Sequence, residues 1–449
     1  MFKKVLIANR GVVAVRVART LRKMGIAWVA VYSEADKDLP YVQEADEAYP
    51  IGPAPARESY LNVDKLLDVI KDSGCDAVHP GYGFLSEDPV FAEKVAKAGA
   101  TFIGPSAKHI EAMGHKVRAR DHMLAAGIPV LPASLAIPEG QTDYADHLQT
   151  IRLPMLVKAA AGGGGIGMQR VYDEKALIGA IEKTRQLSAR AFGDGTVFLE
   201  RYIEEPRHIE FQMIGDQHGN VRNVFERDCS IQRRHQKVVE ESPAPQLDRV
   251  ECADMADLLV AALKNWKYDS LGTVEMLLDR EGNYYFLETN TRLQVEHGVT
   301  EAVTGLDLVE VQIRIAGGET LDQILPDCIE QTGHAVELRI YAEDPVRFFP
   351  SVGTLTRFDV PKVEGVHTET HLVAGAAVTP NYDPMLALVI AKGADRAEAL
   401  QRAQTALNSF TIEGVKTNIP FLTKLLGSEV FREVRHHTTL AEEFSKSVA

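Results

Sequence analysis

Thr273-Val274-Glu275-Met276-Leu277-Leu278-Asp279-Arg280-Glu281-Gly282-Asn283-Tyr284-Tyr285-Phe286-Leu287-Glu288 reads as a β-hairpin. Its two arms are rich in aliphatic and aromatic residues, and Asp279 to Asn283 between them has turn chemistry. With Asp279 opposite Tyr284 across a four-residue loop, Glu275 falls opposite Glu288. Cross-strand neighbours keep their Cβ atoms about 5 Å apart, and two carboxylates at that distance repel by roughly 3 kcal/mol at an effective dielectric near 20. A divalent cation between them turns the repulsion into a binding site. Asn290, two residues past Glu288, faces the same side and adds an oxygen, and such an oxygen-only set suits Mg²⁺. The alternative is two solvated carboxylates on an exposed sheet face.

The chain continues Thr291-Arg292-Leu293-Gln294-Val295-Glu296-His297. In extended geometry Glu288, Asn290, Arg292, Gln294 and Glu296 share one face, because side chains repeat every two residues. That line offers metal ligands, a cation, a neutral donor and a further carboxylate. An anion held by Arg292 and deprotonated by Glu296 is the concrete reading.

Upstream, Lys158 ends a strand-like run and is followed by Gly162-Gly163-Gly164-Gly165-Ile166-Gly167. Such a run lets backbone N–H groups approach an anion, with Lys158 as a point charge on phosphate, or it is a flexible surface loop. Glu226-Arg227-Asp228-Cys229-Ser230-Ile231-Gln232-Arg233-Arg234-His235-Gln236-Lys237 concentrates cations able to focus a polyanion. No aromatic residue interleaves those cations, which argues against RNA. No histidine spacing suits zinc.

The first segment alternates strand and helix: Val5–Ala8, a helix over Val12–Met24, then Ala27–Tyr32, Ala77–His79 and Thr101–Pro105. This pattern predicts an open parallel, Rossmann-like sheet ending near Gly114. Asn9-Arg10-Gly11 follows the first strand where a dinucleotide fold carries G-x-G-x-x-G, and no Walker pattern occurs, so any nucleotide is held another way. Strands are expected at Met155–Ala159 and Val197–Glu200. Beyond about residue 333 strands at Val336–Tyr341, Thr354–Phe358 and Leu386–Ala391, with a helix at Ala397–Ser409, predict a mixed α+β unit. The whole is α/β and α+β.

Composition agrees. The 449 residues suggest about three units. At 45% hydrophobic and 25% charged the chain is neither disordered nor fibrous. Forty-nine basic against 63 acidic residues give −14, a poor balance for binding nucleic acid or an anionic membrane. No apolar run reaches the roughly 18 residues that span a bilayer. Cys75, Cys229, Cys252 and Cys328 are widely spaced, which fits a reducing cytoplasm.

Taken in order, Ile7-Ala8-Asn9-Arg10-Gly11, His79-Pro80-Gly81-Tyr82-Gly83-Phe84-Leu85-Ser86-Glu87, the glycine run, the 226–237 cluster and Asn290–His297 resemble the biotin carboxylase subunit of biotin-dependent carboxylases, an ATP-grasp family, over essentially the whole chain. The resemblance implies three domains: an N-terminal one over 1–114, an ATP-grasp domain over 115–330 with a mobile lid at about 131–203, and a C-terminal one over 331–449. It implies that ATP converts bicarbonate to carboxyphosphate, whose CO₂ carboxylates biotin as the first half-reaction of an acyl-CoA carboxylase, most simply for acetyl-CoA. Lys116, Lys158, His208 and the glycines Gly163, Gly164 and Gly165 would contact ATP, with Glu200 and Ile203 near the adenine and Gln232 and His235 near the ribose. Lys237 would face the transferring phosphate, and Glu275, Glu288 and Asn290 would hold Mg²⁺ or Mn²⁺. Arg292, Gln294 and Val295 would hold bicarbonate with Glu296 as base. Arg339, Tyr82 and Asp383 would serve biotin, Arg339 stabilising its enolate.

No Met-Lys-Met motif occurs, and 449 residues leave no room for a carboxyltransferase, so biotin is expected on a separate carrier protein. A homodimer in the cytoplasm is the family expectation. The sequence departs from the family pattern at Ile166, where arginine is expected, at Val12-Val13 in place of Glu-Ile, and at Gly298 in place of proline, a change expected to loosen its loop. The rivals are an ATP-grasp ligase acting without biotin and a non-catalytic interaction protein.

Overall fold

The computed structural model describes residues 1–141, 144, 146–147, 151–160, 168–234 and 236–447. Gly163, Gly164, Gly165, Ile166 and His235 lie outside them.

Strand β1 (Lys4–Ile7) is the middle of a five-stranded parallel sheet. Its neighbours are β2 (Ala27–Ser33), β3 (Glu47–Gly52), β4 (Ala77–His79) and β5 (Thr101–Phe102), in the order β3-β2-β1-β4-β5. The apolar run at β1 follows from burial on both faces. Val5 and Ile7 join one core with Val13, Val17 and Leu21 of the helix Gly11–Met24, while Leu6 and Ala8 join another with Leu66, Val69 and Ile70 of the helix Val63–Ser73. The sequence reading missed β3, an edge strand in which Ile51 alone is buried, the rest being part-buried or exposed, and which contains Pro50.

A small antiparallel sheet, β6 (Met155–Ala159), β7 (Gln169–Val171) and β8 (Val197–Arg201), is covered by the helix Glu174–Phe192. It has its own core, with Met155, Val157, Leu177, Ile181 and Leu199 packed together, apart from the cores of the rest.

The largest sheet has eight strands. It begins with β9 (Arg207–Gly215), β10 (Val221–Arg233), β11 (Gln236–Ser242), β12 (Leu271–Leu278) and β13 (Tyr284–Asn290). The order β13-β12-β9-β10-β11 continues through β14 (His334–Tyr341), Met385–Gly393 and Val366–Glu369. Pairing of β11 with β14 carries the sheet unbroken past residue 330, so two of the segments expected as separate units share one sheet. The expected strand Thr354–Phe358 is instead two short ones, Gly353–Thr354 and Arg357–Asp359, paired to different partners. The hairpin turn also differs. Asp279 opposes Asn283, closing a tighter loop, yet Glu275 still opposes Glu288 because a bulge between Glu275 and Met276 takes up one residue of the other arm.

Glu241 on β11 ties this sheet to the C-terminal helix Arg396–Ser409. Its carboxylate receives Arg396 Nε at 2.6 Å and Nη2 at 2.9 Å, and His334 Nε2 lies at 2.8 Å. Burial alone raises its pKa, but the bonds from His334 and Arg396 outweigh burial and bring it down to about 2. A depressed carboxylate stabilises the fold above its unfolded pKa and loses that contribution as pH falls toward the folded value. Glu241→Gln therefore lowers the stability of the fold at pH 7 by about 3 kcal/mol and flattens the loss of stability between pH 5 and 3. Denaturant titrations at both pH values check this, and an unchanged pH slope contradicts it.

Candidate active site

The floor of the main cleft is a polar face of the eight-stranded sheet. On β9, His208, Glu210 and Gln212 alternate with Ile209, Phe211 and Met213, and all six are buried. The adjoining strand pairs Glu275 with Glu210 and Thr273 with Gln212. Across β10, Arg227 opposes Glu210. Arg227 is wholly buried and gives Nε to Glu210 Oε1 at 2.5 Å, with Nη1 to Gln212 at 2.9 Å and to Thr300 at 2.8 Å.

Lys237, at the start of β11, sits above this floor. Its ammonium reaches Glu210 Oε2 at 2.5 Å, Glu275 Oε1 at 2.7 Å and Glu296 Oε1 at 2.5 Å. Burial lowers its pKa, but the three carboxylates outweigh that and hold it well above the ordinary lysine value. Glu296 is held from the other side by Arg339 Nη2 at 2.9 Å. Burial raises the Glu296 pKa, yet Lys237, Arg339 and Arg227 keep it well below the usual range. Arg339 is itself fixed by Glu240 Oε1, 2.6 Å from its Nε.

Glu275 and Glu288 both line the cleft, which has a volume of about 850 Å³. Besides Lys237, Glu275 receives Asn290 Nδ2 at 2.9 Å and Gln294 Nε2 at 3.2 Å, and His208 Nε2 lies 3.1 Å from its Oε2. Glu288 has Lys116 Nζ at 3.7 Å. Burial lowers the Lys116 pKa, with Glu288 opposing. Glu210 and Glu275 thus both have each oxygen facing a cation or histidine of the chain, whereas Glu288, among the described residues, meets only Lys116, at 3.7 Å. The oxygen chemistry of Glu275 and Glu288 fits Mg²⁺.

The chain leaves the strand at Asn290, so the expected extended line through Glu296 is not formed. Its side chains nevertheless converge. Arg292 Nη2 meets Asn290 Oδ1 at 2.9 Å and Nη1 meets Gln294 Oε1 at 3.0 Å. Glu296 stands at the N-cap position of the helix His297–Thr304, with its carboxylate turned to Lys237 and Arg339 rather than to the helix. Arg292 is aimed by Glu87, whose Oε2 accepts its Nε at 3.0 Å and whose Oε1 accepts the Thr291 N–H.

Tyr82 and Asp383 line the same cleft. Tyr82 is positioned by Asn9, whose Nδ2 donates to the carbonyls of Pro80 and Tyr82 at 2.7 and 2.9 Å. Gly81 between them has φ +64, and a Cβ there would lie 2.8 Å from Val13 Cγ2, so this turn requires glycine.

Of the residues named for nucleotide, Lys116, Lys158, His208 and Gln232 line the cleft. Gln232 Nε2 and His208 Nδ1 are 2.8 Å apart. Glu200 is buried and takes Lys158 Nζ at 2.7 Å. Ile203 lines a separate cavity beside Arg170 and Tyr202. The 226–237 cluster does not form one basic patch. Arg227 is committed to Glu210 and Arg233 to Glu343. Sequence reading missed Glu210, Glu240 and Glu87. Glu210 was signalled by the polar alternation through β9, whereas the Glu87–Arg292 pair is far apart in sequence and carried no local signal.

Family models match in chain order: "Biotin carboxylase, N-terminal domain" over 1–110, "Carbamoyl-phosphate synthase L chain, ATP binding domain" over 115–324, and "Biotin carboxylase C-terminal domain" over 337–443. This chain belongs to the biotin carboxylase family. It is an enzyme of the ATP-grasp ligase class. Among its relatives, Biotin carboxylase 2 of Bacillus subtilis is 50% identical over 96% of this chain and 97% of its own. A pyruvate carboxylase subunit of Methanothermobacter thermautotrophicus is 46% identical over 100% of this chain and 91% of its own. The biotin carboxylase domain dimer of Hydrogenobacter thermophilus 2-oxoglutarate carboxylase, solved with MgADP, ADP and bicarbonate, superposes with a TM-score of 0.95. It is 44% identical and covers 99% of this chain and 98% of that one.

The departure at Gly298 has a steric reason. Gly298 is buried in the first turn of its helix, and a Cβ there would lie 2.6 Å from Ile390 Cδ1 and 2.9 Å from Glu337 Oε2. The glycine marks close packing rather than the loosened loop expected from the sequence.

Removing one member of a buried ion network leaves its partners charged in low dielectric. Glu210→Ala strands Arg227 and deprives Lys237, so it destabilises the fold by about 3–5 kcal/mol. Chemical denaturation reads this directly, and a loss below about 1 kcal/mol contradicts the pairing.

Proposed function

We propose that this cleft phosphorylates bicarbonate with ATP and delivers the resulting CO₂ to the ureido nitrogen of carrier-bound biotin. The observation that carries the reading is the double hold on Glu296, by Lys237 at 2.5 Å and Arg339 at 2.9 Å, beside the opposed pair Glu275 and Glu288. Bicarbonate needs an anion clamp and a base. Arg292, Gln294 and the backbone at Val295 form the clamp, and Glu296 is the base. Lys237 and Arg339 keep Glu296 ionised, so it is ready to accept a proton. As Lys237 transfers from the carboxylates to the terminal phosphate of ATP, Glu296 loses one of its two cations and becomes a stronger base.

Lys116, Lys158 and His208 hold the nucleotide phosphates, with Gln232 and His235 at the ribose and Glu200 and Ile203 at the adenine. Gly163, Gly164 and Gly165 complete the phosphate cover. Glu275, Glu288 and Asn290 would hold Mg²⁺, which neutralises charge on the transferring phosphate. The unit over 131–203 has its own core, which supports closure as a lid that keeps water from carboxyphosphate. Arg339, always cationic, stabilises the biotin enolate, and Tyr82 and Asp383 flank the ring.

Acetyl-CoA is the acceptor of this reading. Relatives named for pyruvate and 2-oxoglutarate make 2-oxoacids the rival, and the choice belongs to a partner carboxyltransferase. The dimer of the 2-oxoglutarate carboxylase domain supports a homodimer here. Among the described residues no helix is long and apolar enough to cross a membrane. All four cysteines are free, which supports a reducing, cytoplasmic setting.

Phosphate release with MgATP and bicarbonate tests the reading. Free biotin stimulates it in the wild type, and Glu296→Ala reduces the stimulated rate by about two orders of magnitude or more. ATP cleavage indifferent to biotin would favour the rival ligase.

A further inference from the structure

Asn9 fixes Tyr82 through its amide, and the next residue in the chain, Arg10, reaches a second part of the cleft wall, the loop 379–384. That loop follows the short strand Ala377–Val378 and carries Asp383 into the cleft. Among the described residues, positions 379 to 383 make no backbone–backbone hydrogen bond. Two local bonds remain, from the Met385 N–H to Asp383 Oδ1 at 2.9 Å and from the Asn381 N–H to Thr379 Oγ1 at 3.4 Å. Neither ties the loop to another segment. Its place in the cleft is therefore set by side chains.

Tyr382 supplies the tie, and it crosses from the C-terminal segment into the N-terminal parallel sheet. Its hydroxyl donates to the carbonyl of Ala54, just past β3, at 2.5 Å. A phenol has one hydrogen to give, so the Ser33 hydroxyl at the end of β2 is the donor in their 2.6 Å contact. Over the Tyr382 ring lies the Arg10 guanidinium, its Cζ 3.9 Å from the ring centroid.

Arg10 is itself held on two prongs. Asp36, almost wholly buried, accepts its Nε at 2.6 Å and its Nη2 at 2.7 Å. The buried Tyr60 donates its hydroxyl to Asp36 Oδ2 at 2.5 Å. The Tyr60 ring then stacks on Phe84, with centroids 5.2 Å apart, and meets Tyr382 edge-on at 5.7 Å. Phe84 is two residues from Tyr82 and lines the same cleft. One knot at the carboxyl ends of β1, β2 and β3 thus grips both segments, the one that bears Tyr82 and the one that bears Asp383.

Stability alone is a poor reason for such a knot, because a buried ion pair gives little over well-packed apolar side chains. What the guanidinium adds is a rigid, permanently charged plane that can stack on a ring while both its other contacts are fixed. We propose that Arg10 is a positioning residue for the carboxylation of biotin: it holds Tyr382 and, through Tyr382, sets Asp383 at a fixed distance from Tyr82. The inference rests on the reading of Tyr82 and Asp383 as the neighbours of biotin. The residues read as holding nucleotide phosphates, Lys116, Lys158 and His208, stand on other elements, so the knot bears on one substrate and not the other.

Kinetics of biotin-stimulated phosphate release test this. Arg10→Lys keeps a cation beside Asp36 but loses the two-pronged, stacked geometry. Tyr382→Leu removes the ring without stranding a charge. Each raises KM for biotin about tenfold, the size of one desolvated stack lost, while KM for ATP stays within about twofold. A merely structural role would raise both. The double variant is no worse than Tyr382→Leu alone, since Arg10 acts through that ring. Should Arg10→Lys fail to fold, Tyr382→Phe decides, because it keeps the ring for Arg10 and raises KM for biotin less than Tyr382→Leu does. Equal effects of Phe and Leu at 382, additive effects in the double variant, or an unchanged KM for biotin while Asp383→Ala raises it would overturn the role of Arg10 alone. An Asp383→Ala enzyme with the wild-type KM for biotin overturns the reading of Asp383 and this inference with it.

Discussion

An ammonium group shared by three buried carboxylates sets the terms for the rest of this molecule. Lys237 lies within 2.7 Å of Glu210, Glu275 and Glu296, on three separate segments of chain. Charges taken out of water are costly unless paired with good geometry, so the strands and the helix that carry these groups must meet at one point. Arg227 balances Glu210 from beneath, and Arg339 balances Glu296 from the side. The eight-stranded sheet is continuous across the middle and C-terminal segments because this network draws on both.

The same network governs chemistry. With Lys237 in place, Glu275 is already neutralised and Glu296 is ionised but weakly basic. Burial raises the Glu275 pKa, and Lys237 and His208 more than cancel it, leaving the group below the ordinary range. The cleft therefore carries a cation of its own chain, Lys237, on the charges for which phosphate and metal would compete in the proposed function. In the proposed function, loading the site draws Lys237 toward phosphate, and that shift strengthens Glu296 as the base. Preorganised charge of this kind costs no reorganisation of solvent when the reaction occurs.

Much of this was legible in the sequence, for reasons that differ by element. The parallel sheet followed from a strand apolar on both faces, and β1 is buried on both. The opposition of Glu275 and Glu288 was reached with a turn one residue too long, and the bulge next to Glu275 absorbed the difference. Periodicity alone could not show the bulge. The polar face of β9 was present as alternation but unused, because its partners, Arg227 and Lys237, lie on other strands. β3 was invisible since an edge strand lacks the second buried face that makes a run apolar. Glycine at 298 suggested slack from composition, whereas it reflects the approach of Ile390 and Glu337, which only tertiary structure supplies.

The competition between Lys237 and a divalent cation for Glu275 is the claim on which this account turns, and metal affinity without nucleotide measures it. Titration of the protein with Mn²⁺ alone, followed by electron paramagnetic resonance of the free ion, compares wild type with Lys237→Met. The account predicts tighter binding in the variant by about tenfold, or roughly 1.4 kcal/mol, because Glu275 is released. Equal or weaker Mn²⁺ binding in Lys237→Met would contradict it.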